Sequence, residues 1–336
     1  MIKAEEITSL DGLNSLSAEW GRLWERCPTA TPFQLPDWTI PWCKLFLNGN
    51  ELFSIAVRSE EGRLVAFAPL LIEPSFGEKK QKRLVFIGTG ISDYLDIIAE
   101  PEIAPESARL IFKRILEARS GWDICRLEEL REISPLSRVR DFGSLRHEIA
   151  PMSICPVLPL PGEAGSLPEK YSNGLEARLK RANKTLLKRG DVLFESARPG
   201  NAGEFLEELF RLHEKWWSQL KHGAGVLSGN EIRAFHREAA GNFASKGILR
   251  LYGLRFNGEL SAVVYGFASR QRFYSYLGGF DPALKRLSPG SLIIEYALKE
   301  CIREGIKKFD FLRGGERYKY DWGAVDTVNY RLKLSH

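Results

Sequence analysis

The sequence predicts a mixed α/β protein in which one unit, a mainly antiparallel sheet flanked by helices, occurs twice in tandem. The length of 336 residues suits two domains of about 150 residues each. Two stretches of the chain show the same order of predicted elements, and a proline-rich stretch lies between them. We therefore expect domains at residues 1–150 and 171–336, joined by a linker at residues 151–170.

The composition is that of a globular protein with a sizeable core. Hydrophobic residues make up 44% of the chain and charged residues 27%, which excludes a disordered chain and a small disulfide-stapled protein. The net charge of +5 is mild for this length, so it permits anionic partners without requiring nucleic acid.

Cysteine usage and the N-terminus predict a reducing, cytosolic compartment. The five cysteines are scattered, odd in number and without a C-x-x-C pair, so neither a disulfide framework nor a zinc site is expected: Cys27, Cys43, Cys125, Cys155 and Cys301. The first six residues are acidic overall, with two glutamates and one lysine, where a signal peptide has a basic and then an apolar run. No apolar stretch reaches the 18 residues of a membrane helix.

Each half of the chain contains a predicted β-hairpin. In the first half, residues 52–58 form one strand, residues 60–62 turn, and residues 63–72 return. In the second half, residues 249–256 and 259–268 flank Asn257-Gly258, and Asn-Gly between apolar runs is the strongest short hairpin signal.

Both hairpins are followed by a strand, a helix and another strand. The predicted segments are 82–88, 106–118 and 122–127 in the first half, and 272–279, 289–304 and 308–312 in the second. An amphipathic helix precedes each hairpin, with apolar residues at helical spacing from Leu13 to Trp24 and from Phe205 to Trp217. The pattern favours a tandem duplication, although α/β chains also share such orders by chance. Five prolines between Pro151 and Pro168 suggest the linker.

The segment 281–291 is a candidate anion site. Ser288 suits a helix N-cap, Pro289 suits the first helical position, and Gly290 lets a ligand approach the backbone. The open amides of a first helical turn attract phosphate, and Lys285 and Arg286 add positive charge. An ordinary capped helix with a solvated basic loop explains the same residues.

The segment 309–323 follows a strand at its carboxyl end, where open α/β sheets place ligands. Glu316 could take a proton from an amine or hydroxyl nucleophile, directly or through water, and Tyr318 could return one to a leaving thiolate. Lys319 could hold a phosphate. The alternative is a polar loop with ion pairs and a packed Trp322.

A basic amphipathic helix is predicted at residues 175–189. Leu175, Leu179, Ala182 and Leu186 share one face. Six of the twelve residues from Arg178 to Arg189 are basic and none is acidic: Arg178, Lys180, Arg181, Lys184, Lys188 and Arg189. This helix could contact the phosphates of a cofactor, an RNA or an anionic membrane, or it could simply be solvated.

Other signals are weak or missing. The sequence lacks the G-x-G-x-x-G, P-loop and G-x-S-x-G motifs. His213, His222 and His236 have no metal-binding spacing and suit surface or helix-packing positions. Asp93 and Asp96 could bind a hydroxylated substrate or serve as polar groups at a strand edge.

Together these segments resemble a known family, from about residue 32 to the C-terminus. In their order and spacing they resemble the FemAB-like branch of the GNAT acyltransferases, specifically the CelD-type acetyltransferases of cellulose biosynthesis. The matching motifs are Pro32–Trp38 with Trp42, Gly88–Asp96, the basic helix, Gly278–Asp281, Ser288–Gly290, and Phe309–Gly314 with Glu316, Tyr318, Lys319 and Trp322.

The resemblance implies tandem GNAT-like domains and the transfer of an acyl group from acetyl-CoA or another acyl-CoA to an amine or hydroxyl. The CoA pyrophosphate would lie on the backbone from Leu287 to Ser291, beside Lys285 and Arg286. The common signature Q/R-x-x-G-x-G/A is not intact, because Gly290 falls one residue late and Pro289 lacks an amide hydrogen.

For the acyl transfer that the resemblance implies, we assign Glu316 as base and Tyr318 as acid, with Asp310 and Asp281 in reserve. The residues expected to bind the acceptor are Asp93, Tyr94, Lys319, Arg313 and Trp322.

Three functions remain open. The first is an acyl-CoA-dependent N- or O-acyltransferase acting on a small-molecule or glycan precursor of the cell envelope or an exopolysaccharide, in the cytoplasm and associated with the polysaccharide machinery at the inner membrane face. The second is an aminoacyl-tRNA-dependent FemAB-type peptidyl transferase, although the sequence has no long charged coiled-coil arm. The third is a non-catalytic subunit of polysaccharide synthesis. We expect neither DNA nor a metal as partner.

Overall fold

The computed structural model of the chain describes residues 2–76, 81–161, 174–198, 200–219 and 225–335. The chain divides into two compact units. Unit 1 contains Met1–Ser153 and Val328–His336, and unit 2 contains Ile154–Thr327. Strands β9 (Arg146–Pro159) and β15 (Val325–Ser335) each contribute residues to both units.

Unit 1 is a mixed α/β unit with two sheets. Its helices are α1 (Leu10–Arg26), α2 (Pro36–Phe46) and α3 (Ala104–Glu117). Its remaining strands are β1 (Lys3–Ile7), β2 (Glu51–Leu52), β3 (Ser54–Arg58), β4 (Leu64–Ala68), β5 (Leu70–Phe76), β6 (Gln81–Phe86), β7 (Ile98–Ala99) and β8 (Ile124–Arg131).

One sheet of unit 1 has the order β1-β3-β4-β7 and is antiparallel throughout. In the other, β2, β5 and β6 pair antiparallel, β6 pairs parallel with β8, and β8 pairs antiparallel with β15. Helix α3 connects the parallel strands β6 and β8, as the crossover of a parallel pair requires.

Pro69 separates β4 from β5. A proline has no amide hydrogen to donate to a ladder, so the strand ends there and the chain moves to the second sheet. The Ser54 hydroxyl donates to the Leu70 carbonyl oxygen (3.1 Å) and fixes the start of β5. The single return strand predicted at residues 63–72 is therefore wrong, because the segment forms two strands in two sheets.

Unit 2 contains five helices among its described residues: α4 (Leu175–Leu187), α5 (Ala202–Gln219), α6 (Asn230–Ser245), α7 (Pro289–Arg303) and α8 (Arg317–Asp321). Its strands, besides its part of β9, are β10 (Val192–Ser196), β11 (Leu249–Phe256), β12 (Glu259–Ser269), β13 (Arg272–Phe280) and β14 (Lys308–Asp310). A 3-10 helix at Pro282–Leu287 leads into α7.

The sheet of unit 2 runs β10-β11-β12-β13-β14-β9. Every neighbouring pair is antiparallel except β13 with β14, which α7 connects. Asn257 and Gly258 form the predicted turn between β11 and β12, both with positive φ. A β-bulge shifts the β12–β13 register at Tyr265/Gly266.

The amphipathic helices bury the faces that the sequence predicts. Leu13, Leu16, Trp20 and Leu23 of α1 are buried. In unit 2 the buried residues of α4 are Leu175, Leu179, Ala182 and Leu186, and those of α5 include Phe205, Leu209, Phe210 and Leu212. His236 of α6 is buried against the rings of Tyr265 and Tyr276, while His222 lies outside the described residues.

The mixed α/β class with antiparallel-rich sheets and flanking helices is confirmed. Each unit contains a hairpin followed by a strand, a helix and a strand that pairs parallel with the one before the helix. The segment predicted as a linker is a strand as far as Pro159, and its residues 162–170 lie outside the described residues. Proline fixes φ at about −65°, which extended backbone tolerates, so a proline-rich stretch can form a strand.

Candidate active site

A cleft of about 840 Å³ lies in unit 2 where the parallel strands part. Strand β14 pairs with β13 only as far as Asp310 opposite Tyr274, whereas β13 continues to Phe280. Residues Gly278 to Phe280 of β13 line the cleft, together with residues of α4, β12, α7 and α8. The sheet therefore opens at the carboxyl ends of two parallel strands, which is where α/β sheets bind ligands.

The first turn of α7 faces this cleft, with Ser288, Gly290 and Ser291 in its lining. The amides of Ser291 and Leu292 donate to the Ser288 carbonyl oxygen, at 3.0 and 3.1 Å. The amide of Gly290 has no acceptor among the described residues. The helix start thus offers a free amide and its positive dipole end to an anion.

Ser288 takes the N-cap position but not the predicted capping role. Its backbone is left-handed (φ 51°, ψ 44°), and its side chain makes no capping hydrogen bond. A capping side chain normally needs an extended backbone to reach the first turn, so the left-handed conformation prevents that contact. The hydroxyl remains in the lining of the cleft.

Glycine is required at position 290 because the start of α7 lies very close to Phe280 at the end of β13. A Cβ atom there would lie 3.1 Å from Cδ1 of Phe280, tighter than an ordinary van der Waals contact. The absence of a side chain lets α7 begin directly against the end of β13 and leaves its first amide accessible.

Three cations line the cleft: Arg178 of α4, Lys285 of the 3-10 helix and Arg317 of α8. Arg178 Nη2 lies 3.2 Å from Oδ2 of Asp321, and its side chain is half exposed. Lys285 Nζ lies 5.2 Å from the ring centroid of Trp216. Among the predicted donor residues, Arg286 is exposed and does not line the cleft, and Leu287 is buried in the core of unit 2.

Helix α8 presents Arg317, Tyr318 and Asp321 to the cleft, since residues three or four positions apart share a helix face. Tyr318 is 41% exposed, and its ring packs edge-on against Phe311. Partial burial, and secondarily the charge of Glu316, raise the pKa of the phenol above its usual value. The hydroxyl therefore keeps its proton at neutral pH and can donate it.

Lys319 has a structural role in place of the predicted phosphate contact. Its side chain is 3% exposed, and Nζ donates to the carbonyl oxygens of Leu312 (3.2 Å), Arg313 (2.7 Å) and Gly314 (2.9 Å). An ammonium has three hydrogens, which these carbonyls and the Glu316 carboxylate, 2.9 Å from Nζ, share. Lys319 fixes the turn between β14 and α8.

Glu316 is not among the residues that line the cleft. It occupies the N-cap position of α8, its side chain is 59% exposed, and Oε2 lies 2.9 Å from Lys319 Nζ. Of the two residues predicted to carry catalysis, the acid Tyr318 therefore lines the cleft and the base Glu316 does not.

The two reserve carboxylates also serve the fold. Asp310 is fully buried; its Oδ1 accepts from the Leu312 amide, and its Oδ2 lies 3.2 Å from Nη1 of Arg272. Asp281 begins the 3-10 helix and accepts from the Ala283 amide and from Lys215 Nζ. Although desolvation opposes it, the hydrogen bond from Lys215 and that from the amide lower the pKa of Asp281. Neither lines the cleft.

The remaining predicted acceptor residues lie away from this cleft. Trp322 is 1% exposed and belongs to the core of unit 2, because α8 ends there and turns the indole inward. The Arg313 backbone is bound by Lys319, and the residue is not in the cleft lining. Asp93 and Tyr94 are buried in unit 1, where the Asp93 carbonyl accepts from Asn329 and Arg131 lies over the Tyr94 ring.

Several residues that line the cleft were not predicted from the sequence. Asp321 and Arg317 adjoin the predicted Tyr318, and their helical spacing from it could have indicated a shared face. Val263, Ile293 and Ile294 supply an apolar wall, but they read as ordinary core positions in the sequence.

No cluster of three or more histidine, cysteine or carboxylate side chains among the described residues could hold a metal ion. None of the helices in the described part of the chain combines the length and the apolarity needed to span a bilayer.

Residues 174–320 match the profile of a family described as Acetyltransferase (GNAT) domain. The match starts at α4 and ends within α8, so it contains every element of the cleft except its last residues. Residues 174–320 of unit 2 are thus similar to a GNAT acetyltransferase domain, and this similarity, together with the cleft, supports an enzyme of the acyltransferase type. A search of curated protein sequences found no match.

Solved structures with the same fold cover nearly the whole chain. FemX matches with a TM-score of 0.64 at 11% identity, covering 98% of this chain and 96% of its own. L-PGS from Bacillus licheniformis matches with a TM-score of 0.59 at 16% identity, covering 94% and 90%. A conserved protein of unknown function from Bacteroides thetaiotaomicron matches with a TM-score of 0.58 at 13% identity, covering all of both chains. At these identities the likeness shows a shared fold.

Proposed function

We propose that unit 2 transfers an acyl group, with acetyl as the first candidate, from acyl-CoA to an amine or hydroxyl acceptor. The observation that carries the proposal is the convergence, in one cleft, of an open helix start, three cations and a protonated phenol. The first two suit the diphosphate of CoA, and the third suits the thiolate that leaves when the thioester breaks.

The donor would lie with its diphosphate at the first turn of α7. The Gly290 amide and the Ser288 hydroxyl can donate hydrogen bonds there, and Lys285 adds positive charge. Pro289 has no amide hydrogen, so this turn has one hydrogen-bond donor fewer than a turn without proline. Side chains would therefore supply part of the contacts to the diphosphate. The apolar wall of Val263 and Ile293 suits the hydrocarbon parts of the donor.

In the reaction, the acceptor nitrogen or oxygen attacks the thioester carbonyl carbon, and a tetrahedral intermediate forms. The C–S bond then breaks, and Tyr318 gives its proton to the sulfur of CoA. Asp321 is the one carboxylate among the described residues that line the cleft, so we assign it, in preference to Glu316, to receive the proton that the acceptor loses. Holding thioester and acceptor together supplies much of the rate.

Calorimetric titration with acetyl-CoA tests donor binding. We expect Lys285→Met and Arg178→Met each to weaken binding several-fold, because each removes a cation from the cleft. Lys188→Met removes an exposed cation from the far end of α4 and should bind like the wild type. Failure of the wild type to bind acetyl-CoA or CoA at millimolar concentration would exclude acyl-CoA as donor.

For the acceptor we propose a precursor of the cell envelope or of an exopolysaccharide, as the resemblance to CelD-type acetyltransferases suggests. The protein would then act in the cytoplasm, near the polysaccharide machinery at the inner membrane face. The assay is release of free CoA thiol from acetyl-CoA in the presence of amino sugars, sugar alcohols and amine-bearing peptides. If CoA binds and none of these releases thiol, the non-catalytic subunit becomes the better account.

A second candidate donor is an aminoacyl-tRNA, and one observation favours it. Four cations on the exposed part of α4 and just after it make no ion pair among the described residues: Arg181, Lys184, Lys188 and Arg189. A basic stripe of this kind suits a nucleic acid backbone. This candidate would be favoured if the protein bound tRNA with an affinity that falls steeply with salt concentration and did not bind CoA.

A further inference from the structure

Unit 1 contains a cavity with a few charged groups in its wall that the proposed acyl transfer does not use. It has a volume of about 210 Å³ and is lined by residues from three segments, 27–34, 96–105 and 131–138. Its volume is about a quarter of that of the cleft in unit 2, so it suits a small metabolite. Most of the wall is apolar, and its charged residues are Asp96, Arg131 and Arg138.

Asp96 is 5% exposed, and only one of its carboxylate oxygens is occupied. Oδ1 accepts from the Ile97 amide (2.8 Å) and from the Ser134 hydroxyl (2.8 Å). Oδ2 has no hydrogen bond, and Asp96 forms no ion pair with any described residue. Oδ2 is not among the fully enclosed side-chain atoms that lack a partner, so it is accessible from the cavity and can accept a hydrogen bond from water or from a ligand there.

Arg131 lies near Asp96 without pairing with it. Its positive charge acts on the Asp96 carboxylate, yet its Nη2 donates instead to the Thr29 carbonyl oxygen (2.5 Å). Its guanidinium also lies over the Tyr94 ring, and its buried Nε has no acceptor. Arg131 is thus held at the cavity wall with hydrogen-bonding capacity unused.

The other polar residues narrow what the cavity could bind. Gln34 is fully engaged, since its amide nitrogen donates to the carbonyl oxygens of Asp96 and Ile97 and its oxygen accepts from Thr31. Arg138 is exposed, lines the cavity and makes no ion pair among the described residues. The cavity therefore offers one acceptor and two guanidinium groups.

We propose that this cavity binds a small molecule that carries an amine or hydroxyl a few ångströms from a carboxylate or phosphate. The amine or hydroxyl donates to Oδ2 of Asp96, and the anionic group interacts with Arg131 and Arg138. Amino acids and aminoalkyl phosphates have this chemistry. The pKa of Asp96 is raised to about 7, because desolvation outweighs the opposing effects of Arg131 and the Ser134 hydroxyl. An amine in the cavity would favour the ionised form of the carboxylate.

Calorimetric titration of the full chain at pH 8 tests the proposal with phosphoethanolamine and L-glutamate. Each joins an amine to an anion, whereas acetate and ethylamine carry only one of the two groups. We expect at least one of the joined probes to bind at least tenfold more tightly than acetate and ethylamine. Equal or undetectable binding of all four would overturn the proposal.

Three variants test the location of the site. Arg138→Met should weaken binding of the joined probe tenfold or more, and because Arg138 is exposed the fold should persist. Arg119→Met removes an exposed arginine outside the cavity and should bind like the wild type. Asp96→Asn should also weaken binding where it folds. Unchanged binding in Arg138→Met would overturn the assignment.

Discussion

The Nζ atom of Lys319 donates a 2.7 Å hydrogen bond to the carbonyl oxygen of Arg313. Two further carbonyls, of Leu312 and Gly314, share the same ammonium. Leu312 and Gly314 both have positive φ, so this turn is an unusual backbone path held by one buried side chain. The turn positions α8 so that Tyr318 and Asp321 line the cleft. The proposed chemistry therefore requires that the turn be stable.

Lys319→Met should lower the free energy of unfolding by about 2–4 kcal/mol, because it leaves three carbonyl oxygens without their donor. Equilibrium unfolding in urea measures this loss. Lys188→Met, at an exposed site, should stay within about 0.5 kcal/mol of the wild type. Equal stabilities of the two variants would show that Lys319 does not hold the turn.

Tyr318→Phe should reduce the rate of CoA thiol release by about 100-fold, since general-acid catalysis by a positioned group contributes on that order. The affinity for acetyl-CoA should change little. Tyr320→Phe is the matched control, because the Tyr320 hydroxyl donates to Asp326 and the residue does not line the cleft. Full activity in Tyr318→Phe would remove the phenol from the mechanism.

Asp321→Asn and Glu316→Gln separate two candidate bases. Asp321 lines the cleft and Glu316 does not, so we expect the larger loss of turnover in Asp321→Asn. Asp191→Asn, an exposed residue before β10, serves as control. The opposite order of losses would restore Glu316 as the base.

Gly290→Val should weaken acetyl-CoA binding at least tenfold. The new side chain would crowd Phe280 and cover the free amide at the start of α7. Gly241→Ala in α6, where a Cβ meets open space, should leave binding unchanged and raise stability by about 0.5–1 kcal/mol. Donor binding by Gly290→Val as tight as the wild type would place the diphosphate elsewhere.

The buried Asp96 predicts a pH dependence of stability. Its pKa is raised from 3.8 to about 7 in the folded chain, so folding favours the protonated form. The stabilisation is complete below about pH 4 and is lost as the pH rises through 7, by an amount on the order of a few kcal/mol. Urea unfolding at several pH values should show this fall, and Asp96→Asn should remove it. If the difference in the free energy of unfolding between the wild type and Asp96→Asn did not change with pH, burial would not raise the pKa of Asp96.

Local and periodic features were readable from the sequence. Helical spacing fixed the buried faces of α1, α4 and α5, and Asn257-Gly258 marked its hairpin turn, because these features depend on neighbours along the chain. The same reasoning located the start of α7 at Pro289 and drew attention to Ser288, Gly290 and Tyr318, all of which line the cleft.

The partners of each polar side chain were decided only by the tertiary structure. Lys319, Asp310 and Trp322 have the residue types of a reactive loop, yet each is buried, because the turn after β14 folds them inward. Asp321 faces the cleft because α8 is helical, and Asp96 faces a cavity because three separate segments meet around it. A sequence states which groups can ionise or donate, but only packing determines whether those groups meet one another or remain open to a ligand.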